Sequence, residues 1–336
     1  MKKILFYFLI YFILLFTLII FLEFVARTYS FIFNNNICAK SINIEKYKSK
    51  FDENVGYLPT PGIKKGCNNE TYIINNYGFR NYSNFELNKS KILIIGDSFG
   101  FGDEVSDDET ISFYLKKNHY INTINAAVYG YGLDQAFIRA EQLINDLGLD
   151  VEKIILIISA HGYYRTNVTE RNGINKPYYI VDNNNITLIK PKNDSFKFAS
   201  GDRFLEKSFL INFISTRINI TKLILKEKKN DNDPLILGCK ISTFYKEKFE
   251  KKNISLNVVL YRVANEVFME NTPDFNSTKI FLNCLKKNNV EFTDTYSVLQ
   301  KNIDKKLYVR IKYGHPTPLA NKIVAEQISN KINNQK

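Results

Sequence analysis

The sequence predicts an α/β protein: a three-layer α/β/α sandwich with a short parallel sheet, carried behind one N-terminal transmembrane helix. Three observations predict it. From Lys91 onward, short Ile-rich runs alternate with segments whose apolar residues recur at helical spacing. The early runs stop at glycine-containing turns, as buried strands do. Residues 4–22 form 19 uncharged, mostly apolar positions.

That first run, Ile4 to Leu22, is closed by Glu23. At about 1.5 Å rise per residue it spans roughly the hydrocarbon core of a bilayer. Lys2 and Lys3 precede it, which predicts a cytoplasmic amino terminus and an extracytoplasmic remainder, in the periplasm or at the cell surface. The run exceeds the roughly 7–15 apolar residues of a cleaved signal, and no A-x-A site follows, so residues 1–30 are expected to stay as an anchor. Residues 31–90 read as a polar lead-in with turn signals at Pro59, Pro61-Gly62 and Asn76-Tyr77-Gly78.

The α/β domain is expected over 91–336. Lys91–Gly96, Ile121–Val128 and Val151–Ser159 read as buried strands, with helices at Glu109–Asn118 and Leu133–Leu147 between them. An insertion of Asn, Lys and Asp clusters is expected at about 167–237. The rhythm then resumes with strands at Ile254–Tyr261 and Val290–Asp294, and helices at Ser277–Asn288 and Pro316–Lys331.

Composition excludes more than it assigns. A hydrophobic content of 45% and an aromatic content of 14% argue for a packed core. The formal charge of +12 accompanies no zinc-finger spacing, RNP pattern or basic-aromatic stripe, so nucleic acid is not expected as a partner. Cys38, Cys67, Cys239 and Cys284 lie far apart without a C-x-x-C pair, which argues against a structural zinc site. In an oxidising compartment Cys38 with Cys67 is the more plausible disulfide; four unpaired thiols are the alternative.

Chemistry gathers at the strand ends, where doubly wound sheets hold ligands. The first strand delivers Gly96-Asp97-Ser98-Phe99-Gly100-Phe101-Gly102, a tight turn able to expose a hydroxyl. The second ends near Gly130, where a backbone N–H could join an oxyanion hole, and the third at Ser159-Ala160-His161-Gly162. Gly314-His315-Pro316 introduces the last helix. Of three histidines in the chain, His161 and His315 thus fall where a substrate would lie.

This constellation resembles the SGNH (GDSL-type) hydrolase superfamily. Gly96-Asp97-Ser98 with Gly102 matches its first block, Gly130 its second and Gly314-His315-Pro316 its fifth. Asp52, Gly56-Tyr57, Pro61 and Asn76-Tyr77-Gly78-Phe79-Arg80 look like the D-x-x-x-G-Y…P and N-x-x-G-F-R segments of a bacterial membrane-anchored branch, the latter one residue tighter. The resemblance implies Ser98 as nucleophile, His315 as general base, and the N–H groups of Ser98 and Gly130 as oxyanion donors, with neither metal nor cofactor. It further implies an esterase or O-acyl (acetyl) transferase acting on glycan esters of the cell envelope.

Two positions depart from the pattern. His161 stands where the family has an oxyanion-donating Asn, and is expected to donate in its place or to touch substrate. Lys312 and Tyr313 stand where the family has the Asp that orients the base. Either the site works as a Ser–His dyad, or a carboxylate such as Asp294 reaches it, or the fold has lost catalysis and serves glycan binding or envelope assembly.

Overall fold

The computed structural model describes residues 2–32, 49–66, 70–81, 91–171, 174–182, 185–192, 208, 210, 228–310 and 314–334. The chain divides into two compact units, residues 1–48 with 200–226, and residues 49–199 with 227–336.

The first unit holds one long helix, Lys2–Ile32. Within it Lys3–Tyr29 has a mean hydropathy of 2.9, long and apolar enough to cross a membrane. Glu23, at the end of the uncharged run, accepts a hydrogen bond from Arg27 Nε one turn on, at 2.9 Å.

The second unit is built on one eight-stranded sheet. Its lead-in forms an antiparallel pair, β1 (Ser49–Asp52) with β2 (Gly56–Pro59), then β3 (Gly62–Lys65), β4 (Thr71–Ile74) and β5 (Arg80–Asn81). The predicted strands follow as β6 (Ile92–Gly96), β7 (Thr123–Asn125) and β8 (Lys153–Ile158). Short strands β9 (Val168–Arg171), β10 (Ile174–Asn175), β11 (Tyr178–Asp182), β12 (Asn185–Ile189) and β13 (Lys228–Lys229) lie in the expected insertion. β14 (Ser255–Leu260) and β15 (Glu291–Asp294) complete the set. The order across the sheet is β15-β14-β8-β6-β7-β5-β4-β3, the first five parallel and the rest antiparallel.

Both faces of the parallel strands are covered, which is why they read as unbroken apolar runs. Successive side chains alternate between the faces. Leu93, Ile95, Ile154, Leu156 and Ile158 pack into one core with Phe137, Tyr245 and Phe281 of the helices Leu133–Asp146, Pro234–Glu250 and Pro273–Lys287. Ile94, Ile155, Ile157 and Val259 pack into the other with Leu115, Val324 and Ile328 of Ile111–His119 and Pro318–Asn333. The result is the three-layer sandwich that the sequence predicts.

Three details differ from the sequence reading. Part of the polar lead-in adds three strands, β3 to β5, to the main sheet. The insertion forms small antiparallel sheets, β10-β9-β13 and β11-β12, and a helix already begins at Pro234, capped by the Asp233 carboxylate on Leu235 and Ile236 N–H. A disulfide joins Cys239 to Cys284, with Cα atoms 6.2 Å apart, tying the helix Pro234–Glu250 to Pro273–Lys287. The expected Cys38–Cys67 pair lies outside the described residues.

Candidate active site

The turn after β6 is fixed before any substrate is considered. Gly96 has φ +148° and sits against the backbone of Ile157, so a side chain there would strike the Ile157 carbonyl. Asp97 is fully buried; its Oδ1 accepts from Phe99 N–H at 2.9 Å, capping the short helix Ser98–Phe101. Its Oδ2 accepts from Ser159 N–H at 3.1 Å and Ser159 Oγ at 2.7 Å, tying the serine turn to the end of β8. Asp97 is therefore spent on structure. Gly102, with φ +81°, ends the helix by donating to the Ser98 carbonyl at 3.1 Å.

His315 arrives from the far end of the chain. Val309 N–H donates to the His315 carbonyl and Thr317 N–H to Leu307, each at 2.9 Å, so residues 307–309 brace the histidine from one side. On the other, Thr317 caps the helix Pro318–Asn333, with Pro at its first position. The ring lies against Phe99, centroids 5.5 Å apart. Its Nε2 is 2.9 Å from Ser98 Oγ. A hydroxyl and an imidazole nitrogen at that distance form a nucleophile–base pair in geometry.

Two carboxylates of the loop after Gly102 face the same ring. Glu104 Oε2 is 3.3 Å from Nδ1 and 3.4 Å from the backbone nitrogen of His315. Asp103 Oδ2 is 3.8 Å from Nε2. Glu104 Oε1 accepts from Arg310 Nη2 at 2.5 Å. Burial alone would push the Glu104 carboxyl up. The His315 imidazole 3.3 Å away and the Arg310 guanidinium outweigh it and hold the group below the ordinary glutamate value.

Gly130 and His161 follow β7 and β8, the two strands that flank β6 in the parallel sheet, and so stand at the same sheet edge as Ser98. The extension of β7 keeps pairing with β6, Val128 N–H donating to the Gly96 carbonyl at 3.1 Å, and Gly130 turns with φ +79°. His161 is half-buried in the first turn of Ala160–Tyr164.

The lead-in motifs turn out to brace this edge. Asp52 caps its own turn through Asn54 and Val55 N–H at 2.9 and 3.0 Å. Tyr57 Oη then donates to the Tyr129 carbonyl at 2.8 Å, beside Gly130, and Tyr131 Oη donates back to the Tyr57 carbonyl at 2.5 Å. Arg80 is buried between the Tyr72 and Phe101 rings. It donates to the carbonyls of Phe101, Gly102 and Val105 at 3.3, 2.6 and 2.5 Å and pairs with Asp107 at 2.7 Å. One motif half holds the Gly130 turn and the other holds the loop of Asp103 and Glu104.

One expectation is corrected. Asp294 does not reach the imidazole: its oxygens take Arg262 Nε and Nη2, each at 2.7 Å, and Oδ1 also takes Tyr296 N–H. Lys312 and Tyr313 lie outside the described residues. Glu104 was not singled out from the sequence, where it is one acid among several between Gly102 and Thr110.

The chain has the three-layer α/β fold with a parallel sheet that its sequence predicts. Among solved structures it is similar to the psychrotrophic esterase EstA from Pseudoalteromonas sp. (12% identity, TM-score 0.43, 73% of this chain and 97% of that one). It is also similar to a catalytic mutant of the acetylxylan esterase Axe2 from Geobacillus stearothermophilus (10%, 0.41, 73% and 94%). A member of the lipolytic protein G-D-S-L family from Veillonella parvula DSM 2008 gives 10%, 0.37, 70% and 94%. No protein-family model and no curated protein matches the chain.

Proposed function

We propose that the protein is a serine-dependent ester hydrolase or O-acyltransferase, with Ser98 as nucleophile and His315 as its general base. The observation that carries the reading is the 2.9 Å approach of Ser98 Oγ to His315 Nε2 at the carboxyl edge of a parallel sheet. Ser98 Oγ adds to an ester carbonyl as His315 takes its proton. The oxyanion is held by the N–H groups of Ser98 and Gly130, with His161 donating where an Asn would otherwise stand. His315 then returns the proton to the departing alcohol, leaving an acyl-Ser98. Water, or the hydroxyl of a second sugar, takes the acyl group by the reverse steps and sets hydrolysis apart from transfer.

The substrate class we favour is an O-acetylated glycan of the cell envelope. Supporting it are the apolar N-terminal helix behind Lys2 and Lys3 and the Cys239–Cys284 disulfide, which suits an oxidising compartment. In this reading the helix crosses the membrane once and the site faces the periplasm or cell surface.

The test is turnover of an aryl acetate and of O-acetylated polysaccharide by the full chain in detergent. Both activities should vanish in Ser98→Ala and in His315→Ala while the folded spectrum persists. Ester turnover surviving Ser98→Ala would refute the mechanism. A parent inert on every ester that nonetheless bound glycan would favour a binding or assembly role.

A further inference from the structure

We infer that Glu104, supplied by the loop after the nucleophile, is the carboxylate that orients the His315 imidazole. The inference rests on the Ser98–His315 reading and names the third member of that site. A base that must accept a proton at Nε2 needs its other nitrogen protonated and its ring held in place. His315 Nδ1 is buried, and Glu104 Oε2 lies within ion-pair distance of it at 3.3 Å, while Ser98 Oγ meets the other ring nitrogen. With a carboxylate there, the favoured tautomer carries its proton on Nδ1 and leaves the Nε2 lone pair aimed at Ser98 Oγ.

Each alternative acid among the described residues fails on geometry. Asp103 Oδ2 approaches Nε2, the nitrogen already facing the serine, and at 3.8 Å it does not bond. Asp294 has both oxygens on Arg262. The two positions just before Gly314 hold Lys312 and Tyr313, and neither side chain is a carboxylate.

The backbone adds an independent sign. Glu104 has φ +64°, a left-handed conformation that a long side chain rarely takes. Such a conformation persists where the surroundings over-determine it, and it clusters at functional sites. Here Arg80 fixes the loop through three carbonyls and Asp107, while Arg310 takes the carboxylate oxygen that His315 does not use. Glu104 is thus a positioning residue: it keeps its negative charge through the cycle, fixes the tautomer and stabilises the imidazolium.

The experiment compares the full chain with Glu104→Gln, Glu104→Gly and Ser98→Ala, measuring aryl acetate turnover across pH and thermal unfolding. Glu104→Gln should lower kcat by about 10³- to 10⁴-fold with little change in KM, because the interaction grows as the imidazolium forms. Among the described residues, Asp103 is the charged group left within 4 Å of the ring nitrogens, and Arg310 has lost its carboxylate partner. With one negative neighbour gone, the acid limb of the pH–rate profile should move to lower pH. Glu104→Gly removes the same carboxylate while suiting the left-handed backbone, so it should unfold no lower than Glu104→Gln yet lose turnover to the same degree. Turnover within about threefold of the parent in Glu104→Gln or Glu104→Gly, with Ser98→Ala inert, would overturn this assignment and leave the serine mechanism standing. Turnover in Ser98→Ala would remove both.

Discussion

Two carboxylate–arginine pairs stand at the ends of this sheet, and they are spent differently. At the end of β15, Asp294 gives both oxygens to Arg262, whose Nη1 also reaches Glu266 at 3.0 Å. Glu266 in turn accepts from Thr278 and from Val263 N–H, at 2.6 and 2.8 Å. That network is closed; it fastens the segment after β14 to β15 and to the helix Pro273–Lys287. In the loop after β6, Glu104 gives one oxygen to Arg310 and keeps the other for His315. The comparison teaches that proximity to a strand end does not make an acid available. What its oxygens already hold decides that.

The largest effect that would break this contrast comes from the pair thought to serve the site. Glu104→Gln should cost three to four orders of magnitude in kcat, as argued above, whereas Asp294→Asn should leave kcat/KM within about threefold. Asp294→Asn should instead act on stability, lowering it by about 1–3 kcal/mol in chemical denaturation as Arg262 loses a charged acceptor. The reverse pattern, a catalytically crippled Asp294→Asn, would return Asp294 to the site.

A smaller effect sharpens the role of Arg310. Its bridge to Glu104 is partly exposed, so Arg310→Gln should reduce kcat/KM by only about three- to tenfold. The smallest effect is one of pH. The Glu104 carboxyl titrates below its ordinary value of 4.5 in the folded chain. A lowered acid stabilises the folded state fully above the unfolded value and loses that contribution as pH falls through the folded one. The parent's stability advantage over Glu104→Gln should therefore be present at pH 7 and shrink below about pH 4.5, read by denaturant midpoints at several pH values.

The sheet was legible because burial on both faces writes itself into β6, β8 and β14 as Ile, Leu and Val runs. Ser98 and His315 were legible because their backbone turns demand glycine, or proline followed by a helix. Glu104 was not, since it meets His315 across 211 residues of sequence and no local pattern encodes that encounter. Asp294 drew notice as an acid at a strand end, but its commitment to Arg262 is a fact of tertiary packing. The small sheets of the insertion depend on pairing β9 with β13, about 60 residues apart, through polar strands with little periodicity. The helix from Pro234 carried a readable start, Asp233-Pro234, masked by the Asn- and Lys-rich sequence before it.

The most direct test of the central claim is to treat the full chain with a fluorophosphonate and locate the adduct by mass spectrometry. The account predicts one phosphonyl adduct on the peptide containing Ser98, absent in Ser98→Ala and formed far more slowly in His315→Ala. An adduct on another residue, or none under conditions that label a known serine esterase, would contradict it.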